Sequence, residues 1–323
     1  MKTLKYSVIT PIYNREDCVA RCLDSVAGNL KWGVEFEHIV VDDGSTDGTA
    51  SIVQAYAARC PHIRFIRFDG NRGTNAARNA AIAAATGDFC ILLDSDDYFV
   101  PEALQIIDGT VQAGGYRHYC FAADDMMAYY KSNPLLADSE HTAIRYEDFL
   151  LERIKGDFIH VIATDTLRKY PFDEQLRIYE GVFFKRFYRE AQEVLFTPEV
   201  VTVRERDRAD SVTRDVLLRD RKTMAKGLKS KQLLADWFGD DLLRYEEGRA
   251  ILQKTYASML ELNLLLNDYT EARKCKEKIE NLGVAPVQGR LELVRKLHLG
   301  RLYYALRVMY VFIRYDLLKA KIS

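Results

Sequence analysis

The chain has 323 residues, of which 48% are hydrophobic and 29% charged, and its formal net charge is −1. This composition is typical of a soluble globular protein, and no apolar run reaches the roughly 18 residues that a membrane span needs. A chain of this length exceeds what one hydrophobic core usually holds. We therefore expect two domains, or one large domain with an appendage.

Strand and helix patterns alternate through the first hundred residues. Four short apolar runs, separated by segments with helical spacing, predict four strands. They cover residues 6–10, 36–41, 62–68 and 89–93. Strands that alternate with helices in this way indicate βαβ units. The pattern predicts an α/β fold with a mainly parallel, Rossmann-like sheet that has helices on both faces.

Polar turns follow all four predicted strands. They begin at Thr10, Asp42, Asn71 and Asp94. Each turn alone has ordinary turn chemistry. In parallel α/β sheets, however, ligands bind at the carboxyl ends of the strands. Four polar ends in succession therefore predict that a polar ligand binds at this edge of the sheet.

The fourth turn, Asp94-Ser95-Asp96-Asp97, carries three carboxylates in four residues. Like charges this close repel one another unless a cation lies among them. Mg²⁺ and Mn²⁺ are the simplest choice, because they usually take one or two carboxylates together with substrate phosphates. We find no P-loop and no G-x-G-x-x-G turn, so the cation is expected to hold the phosphates. A solvated turn or a helix N-cap is the alternative.

Four stretches together resemble the family-2 glycosyltransferases of the GT-A fold. They read Val-Ile-Thr-Pro-Ile-Tyr-Asn (8–14), Val-Val-Asp-Asp-Gly-Ser-Thr-Asp-Gly-Thr (40–49), Asn-Arg-Gly-(x4)-Arg-Asn-Ala-Ala-Ile (71–82) and Leu-Leu-Asp-Ser-Asp-Asp (92–97). The likeness is strong over residues 4–105 and weak over 106–214. It implies an inverting glycosyltransferase domain over residues 1–214, which takes a sugar from a nucleotide, with a UDP-sugar as the expected donor.

The resemblance also implies a role for each matching position. Tyr13 and Asp43 would hold the nucleobase, and Asp43 would accept a hydrogen bond from it. Asp96 and Asp97 would bind Mn²⁺ or Mg²⁺. The residues expected to bind the nucleotide sugar are Pro11, Tyr13, Asp43, Arg78, Asp94, Ser95 and Asp96.

The catalytic base departs from the pattern of this family. Its members usually carry Glu-Asp at the start of a helix, followed by an aromatic residue and an Arg, and the Asp deprotonates the acceptor hydroxyl. This chain has Glu180-Gly181 instead. Aligning the aromatic residue and the Arg with Phe183 and Arg186 places Glu180 at the base position. Aligning Glu with Glu leaves no base, which would make the protein an inactive nucleotide-sugar-binding protein.

Two other residues are candidates for the base. His160 lies in the predicted strand 158–162, where a histidine is more often a core or rim residue. Asp173, with Glu174, is expected in the turn before the Glu180 segment. A nucleotidyltransferase is a further alternative, but it needs a glycine-rich basic loop after the first strand, and residues 10–14 contain no glycine.

A charged segment follows the last predicted strand of this domain. Similar segments in the family form a mobile flap over the diphosphate. Arg204 or Arg208 would there neutralise charge on the leaving group. A solvated charged loop is the alternative.

Helical spacing dominates residues 215–323, which we predict to be a helical region with a basic amphipathic end. Residues 289–323 carry eight Lys or Arg against two acidic residues. An apolar stripe recurs there at steps of three and four: Leu299, Leu302, Leu306, Met309, Ile313 and Leu317. This pattern is typical of a helix that lies on an anionic membrane. Packing of the stripe on the protein's own helices is the alternative.

The six cysteines are scattered without a C-x-x-C pair, which fits a reducing cytoplasm. The chain opens directly into a predicted strand, and we expect no signal peptide. We therefore expect a cytoplasmic enzyme, either free or peripheral on the inner face of the cell membrane. Its acceptor would be a hydroxyl of a surface polysaccharide or lipid-linked glycan, and we expect no nucleic-acid partner.

Overall fold

A computed structural model describes residues 3–137, 141–205, 220–284 and 289–317. The chain divides into two compact units, Met1–Arg208 and Ala209–Ser323. The boundary predicted after residue 214 lies outside the described residues. Among the helices that are described, none is both long and apolar enough to cross a bilayer.

The first half of the amino-terminal unit contains the predicted alternation of strands and helices. The strands are β1 (Lys5–Ile12), β2 (Glu35–Asp42), β3 (Ile63–Arg67) and β4 (Phe89–Leu92). The helices are α1 (Val19–Ala27), α2 (Thr49–Arg59) and α3 (Thr74–Ala84). All pairs among these strands are parallel, in the order β3-β2-β1-β4. The four strand ends therefore meet at one edge, as the sequence predicts.

The second half of this unit extends the same sheet. Its strands are β5 (Tyr98–Phe99), β6 (His118–Ala123), β7 (Thr142–Arg145), β8 (Phe158–Ala163) and β9 (Glu193–Val203). Its helices are α4 (Ala103–Gly114), α5 (Met127–Ser132), α6 (Tyr146–Leu150), α7 (Thr164–Lys169) and α8 (Gly181–Ala191). The order continues from β4 through β8, β6 and β9 to β5, and β7 pairs with β9.

The whole sheet is mixed, whereas the sequence predicted a mainly parallel one. β8 runs antiparallel to both β4 and β6, while β6 and β9 are parallel. A buried strand reads as a continuous apolar run whichever way it points, so the pattern does not reveal its direction.

Side chains alternate between the two faces of the sheet, and helices cover both. Tyr119 of β6 and Ile159 of β8 enter a core together with Leu104 and Ile107 of α4. The alternate side chains of β6 and β8 point to the other face. There the ring of His160 stacks on Phe184 of α8. The predicted α/β fold with two helical layers is thereby confirmed.

The second unit is helical, as predicted. Its helices are α9 (Arg221–Leu243), α10 (Glu246–Leu266), α11 (Tyr269–Leu282), α12 (Gly289–Lys296) and α13 (Gly300–Val311), followed by a π-helical turn, Phe312–Leu317. Two aspartates cap helices through their side chains: Asp220 accepts from the Thr223 N–H at 2.7 Å, and Asp268 from the Glu271 N–H at 3.0 Å. The core of this unit joins α10, α11 and α12.

The apolar stripe of the last helix stays exposed. Leu302, Leu306 and Met309 are 55%, 49% and 52% exposed. α13 contacts α10 by other residues, among them Gly300, which lies against Leu264. The alternative that the stripe packs on the protein's own helices is therefore wrong for the described stripe residues after Leu299. Leu317 is the exception, because its side chain is not among the described ones.

Candidate functional site

The acidic turn begins where β4 leaves the sheet. The Leu93 N–H donates to the Ile9 carbonyl at 3.0 Å, and the Asp97 N–H closes the turn on the Asp94 carbonyl at 3.1 Å. Asp94 is exposed, Ser95 is buried, and Asp96 and Asp97 are half-buried. The three carboxylates are thus presented at the sheet edge where the other polar strand ends lie.

The electrostatics of this turn favour a cation. Burial, reinforced by the charges of Asp94 and Asp96, raises the pKa of Asp97 to about 7. The Glu205 N–H donates to Asp97 Oδ1 at 3.2 Å, which offsets this only in part. The repulsion expected from the sequence is therefore present, and hard carboxylate oxygens are the ligands that Mg²⁺ and Mn²⁺ prefer.

The aspartates do not all converge on one point. Among the described residues, the one group of three His, Cys, Asp or Glu whose ligand atoms all lie within 4.8 Å of one another is elsewhere, in β6 and β8. One or two carboxylates of the turn, rather than all three, therefore fit a cation that also takes phosphate oxygens.

Arg78 connects this turn to α8. Its guanidinium donates to Asp94 Oδ1 at 2.9 Å and to Glu180 Oε1 at 3.4 Å. Burial lowers the pKa of Arg78, but the two carboxylates more than offset this, so the pKa lies above its ordinary value. Arg78 therefore stays cationic and holds two acidic side chains from distant parts of the chain in one place.

Glu180 lies at the N-cap of α8. Its carbonyl accepts the Phe183 N–H at 2.8 Å, and its side chain is 19% exposed. The partial positive charge of a helix N-terminus favours an anionic carboxylate there. At Gly181, nothing lies within 4 Å of the position where a Cβ would be built. A side chain at this position would therefore fit.

Two asparagines that the sequence analysis missed hold the segment before Glu180. The Asn79 amide exchanges two hydrogen bonds with the backbone of Phe172, at 2.8 and 3.0 Å. Asn75 donates to the Asp173 carbonyl at 3.0 Å. Two asparagines one turn apart in an alanine-rich helix were the available signal. The Asp173 carboxylate accepts the Gln175 N–H at 2.9 Å, so Asp173 lies in a turn as predicted.

The candidate nucleobase residues differ in accessibility. Tyr13 is exposed, whereas Pro11 is buried in β1, opposite Val41. Asp43 is also buried, and its two carboxylate oxygens accept the backbone N–H groups of Arg72 at 2.7 Å and Gly73 at 2.8 Å. Each oxygen retains a second lone pair that could accept a hydrogen bond from a nucleobase, and that contact stays a prediction. In the protein alone, Asp43 orders the loop before α3.

Close backbone contacts shape the same edge. Gly44 has φ +75°, and a Cβ there would lie 2.6 Å from the carbonyl carbon of Gly70, so only glycine fits. Asn14, which the analysis of site residues omitted, links the first two turns: its N–H donates to Ser45 Oγ, and its Oδ1 accepts the Thr46 N–H, both at 2.9 Å.

Arg204 is already engaged by acidic side chains. Its guanidinium pairs with Asp125 and, at 3.3 Å, with Asp157, and its side chain is 11% exposed. Its backbone N–H donates to Asp124 at 3.0 Å. Arg204 thus anchors the end of β9, and phosphate binding by it stays a prediction. Arg208 lies outside the described residues.

His160 is poorly suited to act as a base. Burial lowers its pKa to about 3, and its Nδ1 lies 3.0 Å from Nε2 of the buried His118. This position agrees with the expectation that a histidine in an apolar strand belongs to the core or its rim.

A cavity of about 600 Å³ lies apart from the candidate site. Its lining comes from the segment between α4 and β6, the junction of β7 and α6, the carboxyl end of α8 and the start of β9. It includes Arg117, Arg145 and Glu193. It contains none of the residues considered above for the nucleotide sugar. The candidate site is therefore the polar sheet edge and not this cavity.

Known proteins resemble this chain in sequence. Residues 7–165 match Glycosyl transferase family 2, a range that includes Asp94–Asp97 and ends before Glu180. A poly(ribitol-phosphate) beta-glucosyltransferase of Bacillus spizizenii is 38% identical over 102 residues, covering 31% of this chain and 16% of that protein. A GalNAc(5)-diNAcBac-PP-undecaprenol beta-1,3-glucosyltransferase of Campylobacter jejuni is 28% identical over 58% of this chain and 60% of its own. The chain thus spans less than two thirds of either relative.

Solved structures share the fold. Staphylococcus aureus TarS 1–349 in complex with UDP-GlcNAc has a TM-score of 0.58 at 18% identity, covering 99% of this chain and 93% of its own. The mannosyltransferase PcManGT of Pyrobaculum calidifontis, in complex with GDP-Man and Mn²⁺, has a TM-score of 0.53 at 16% identity, covering 99% and 89%. Residues 7–165 of this chain therefore match glycosyl transferase family 2, and the amino-terminal unit has a GT-A-like fold.

Proposed function

We propose that this protein is an inverting glycosyltransferase that moves a sugar from a UDP-sugar to a hydroxyl of a polysaccharide or lipid-linked glycan. The observation that carries the proposal is the pair of contacts made by Arg78. They bring the acidic turn after β4 and the carboxylate of Glu180 to the same place. A donor-binding group and a candidate base thus lie side by side, on an edge that a polar ligand can reach.

Glu180 acts as the general base in this proposal. The acceptor oxygen attacks C1 of the sugar, its proton passes to a Glu180 oxygen, and the bond from C1 to the diphosphate oxygen breaks. UDP leaves with the electron pair of that bond. Arg78 donates to the Glu180 carboxylate at 3.4 Å and orients it.

Asp96 and Asp97 would hold Mn²⁺ or Mg²⁺ together with the two phosphates. A bound divalent cation supplies charge stabilisation to a departing diphosphate. The chain's own residues would make the other contacts with the donor. Tyr13 offers an exposed ring to the nucleobase, and Asp43 keeps the loop before α3 in position. The mixture of donors in the related proteins, UDP-GlcNAc in TarS and GDP-Man in PcManGT, leaves the sugar to experiment.

The acceptor is proposed by class. One relative is named for poly(ribitol-phosphate) and another for an undecaprenol-linked glycan. Both named acceptors contain sugar or polyol hydroxyls together with phosphate groups. The exposed stripe on α13 supports a peripheral place at an anionic membrane surface.

Nucleotide-dependent stabilisation and turnover test the proposal together. We expect UDP with Mn²⁺ to raise the thermal midpoint of the full chain, and one UDP-sugar of a panel to release UDP in the presence of a lipid-linked or polyol-phosphate acceptor. GDP, CDP and ADP with the same cation are the controls. Stabilisation by UDP without turnover of any donor would identify the binding protein that Gly181 leaves as the alternative. No stabilisation by any nucleotide would overturn the proposal.

A further inference from the structure

A second group of side chains that can bind metals lies on a buried face of the sheet. His118 and Cys120 are two residues apart in β6, so they face the same way, and His160 of β8 is directly opposite Cys120 in the strand register. His118 Nε2 lies 3.0 Å from His160 Nδ1, and Cys120 Sγ lies 3.5 Å from His160 Nδ1 and 3.9 Å from His118 Nε2. All three side chains are buried.

The three ligand atoms are spaced closely enough to bind one metal ion between them. The point equidistant from the three atoms lies about 2 Å from each, which compares with Zn–N bonds of ~2.0–2.1 Å and Zn–S bonds of ~2.3 Å. A small outward movement of the sulfur would complete the fit. No other group of three potential ligands among the described residues is gathered this closely.

The surroundings hold the two imidazole rings in place. The His160 ring stacks on Phe184 at 4.2 Å, and the His118 ring stacks on Tyr188 at 5.1 Å. His118 Nδ1 is buried without a hydrogen-bond partner among the described residues, so its Nε2, facing Cys120 and His160, makes the polar contacts of the ring. Both aromatic partners belong to α8, the helix that carries Glu180 at its start.

The chemistry of the three ligand atoms indicates which metal they would bind. Two imidazole nitrogens and one thiolate suit Zn²⁺, whereas Mg²⁺ and Mn²⁺ prefer the oxygens of the aspartate turn. We propose that His118, Cys120 and His160 bind one Zn²⁺ ion, at a site separate from the aspartate turn. The ion would tie β6 to β8 beneath α8. The inference does not depend on the proposed transferase activity.

Cobalt substitution tests the site directly. The full chain, purified without a histidine tag and treated with a chelator, is titrated with Co²⁺, and the near-ultraviolet charge-transfer absorption of a cobalt–thiolate bond is recorded. We expect that absorption to saturate at one equivalent and to disappear when Zn²⁺ is added. Zn²⁺ should also raise the thermal midpoint of the chelated protein.

Two variants locate the binding. Cys120→Ala should lose the absorption and bind Zn²⁺ at least ~100-fold more weakly, whereas Cys90→Ala, which removes a buried cysteine of β4 outside the group, should bind as the parent does. A wild-type protein without the absorption or without stoichiometric Zn²⁺ overturns the proposal. So does Cys120→Ala that still binds. If Cys120→Ala does not fold, the wild-type spectrum with Cys90→Ala as control still decides.

Discussion

Arg78 is held between two carboxylates, and this arrangement determines what single substitutions should do. Asp94 lies at the end of a central strand, and Glu180 begins a helix more than eighty residues later. The Arg78 side chain is largely buried. Removing either carboxylate would therefore leave its positive charge less well compensated, which destabilises the protein. Conservative, isosteric replacements are therefore the sharpest probes at the residue scale.

Glu180→Gln should keep the fold and the affinity for UDP but lose turnover by ~10²-fold or more, the usual scale for loss of a general base. The amide retains the shape and can still accept from Arg78, but it cannot take a proton. Kinetics under saturating donor, with the Kd for UDP measured separately, check this. Glu174→Gln is the matched control, since Glu174 pairs with Arg72 at the surface and should be unaffected. Parental turnover in Glu180→Gln would move the base elsewhere.

Asp96→Ala should abolish both metal-dependent UDP binding and turnover while the protein stays folded. The reason is that one carboxylate of the proposed cation site is lost and the repulsion within the turn falls. Calorimetry with UDP and Mn²⁺, and turnover in excess EDTA, provide the measurements. An enzyme that works fully in EDTA, or an active Asp96→Ala, contradicts the metal assignment.

Asp97→Asn should stabilise the cation-free protein at pH 8 but not at pH 4. The pKa of Asp97 is about 7 in the folded protein and near its ordinary value of about 4 when unfolded. The folded state therefore holds a proton that the unfolded state releases, and stability falls as the pH rises from about 4 to 7. The asparagine removes that loss, which we expect to be of the order of 1–3 kcal/mol.

Denaturant unfolding of the parent and of Asp97→Asn across this pH range, in EDTA, measures the effect. The two proteins should differ increasingly above pH 5. Mn²⁺ should reduce the difference by stabilising the parent alone. If the free energies of unfolding of parent and variant changed in parallel with pH, Asp97 would titrate normally in the folded protein.

At the scale of elements, α8 and the segment before it would form the catalytic half of the proposed site. The segment is held to α3 by the amides of Asn75 and Asn79, and α8 begins at Gly181 with free space around its Cβ position. Glycine at the first turn of a helix forgoes both helix propensity and the favourable charge of an acidic residue. The helix would therefore accept the aspartate that the family usually carries.

Gly181→Asp should raise the free energy of unfolding by about 0.5–1 kcal/mol, from helix propensity and the helix dipole. If Glu180 is the base, the double variant Glu180→Gln with Gly181→Asp should stay as inactive as Glu180→Gln alone. Thermal unfolding and turnover of the four proteins in this cycle give the answer. Recovered turnover in the double variant would place the base at position 181 and identify the natural chain as lacking it.

At the scale of the whole molecule, the carboxy-terminal unit presents an apolar surface that its own core does not use. Leu302, Leu306 and Met309 are exposed on α13, and the stretch 289–323 carries eight basic residues against two acidic ones. An anionic bilayer offers both an apolar interface and roughly 1 kcal/mol of attraction for each basic residue near the surface. A lipid-linked acceptor would make such contact useful.

The full chain should sediment with anionic liposomes at low salt and be released at high salt, and less of it should sediment with neutral ones. Leu302→Gln with Leu306→Gln should abolish sedimentation without loss of stability, because both side chains are already exposed. Leu243→Gln, at another exposed leucine of the same unit, should leave binding intact. These variants are sharper than deleting residues 289–323, which would remove Leu291 from the core. Equal sedimentation of the double variant would exclude this surface.

The sequence by itself determined the four parallel strands, the convergence of their polar ends, the acidic turn and the resemblance to a family. Those features are local: each is a run of apolar residues followed by turn residues, and parallel strands bring their carboxyl ends together whatever else the chain does. The helical second unit also followed from local patterns.

Only the tertiary structure decided which groups meet across the sequence. The direction of β8, the engagement of Arg204 by Asp125 and Asp157, and the Arg78 bridge to Glu180 each depend on pairings between distant segments. The same holds for His118, Cys120 and His160, which strand register alone brings together. A linear pattern records the composition of a strand or turn but not its partner, and partners determine which charges are neutralised and which remain for a ligand.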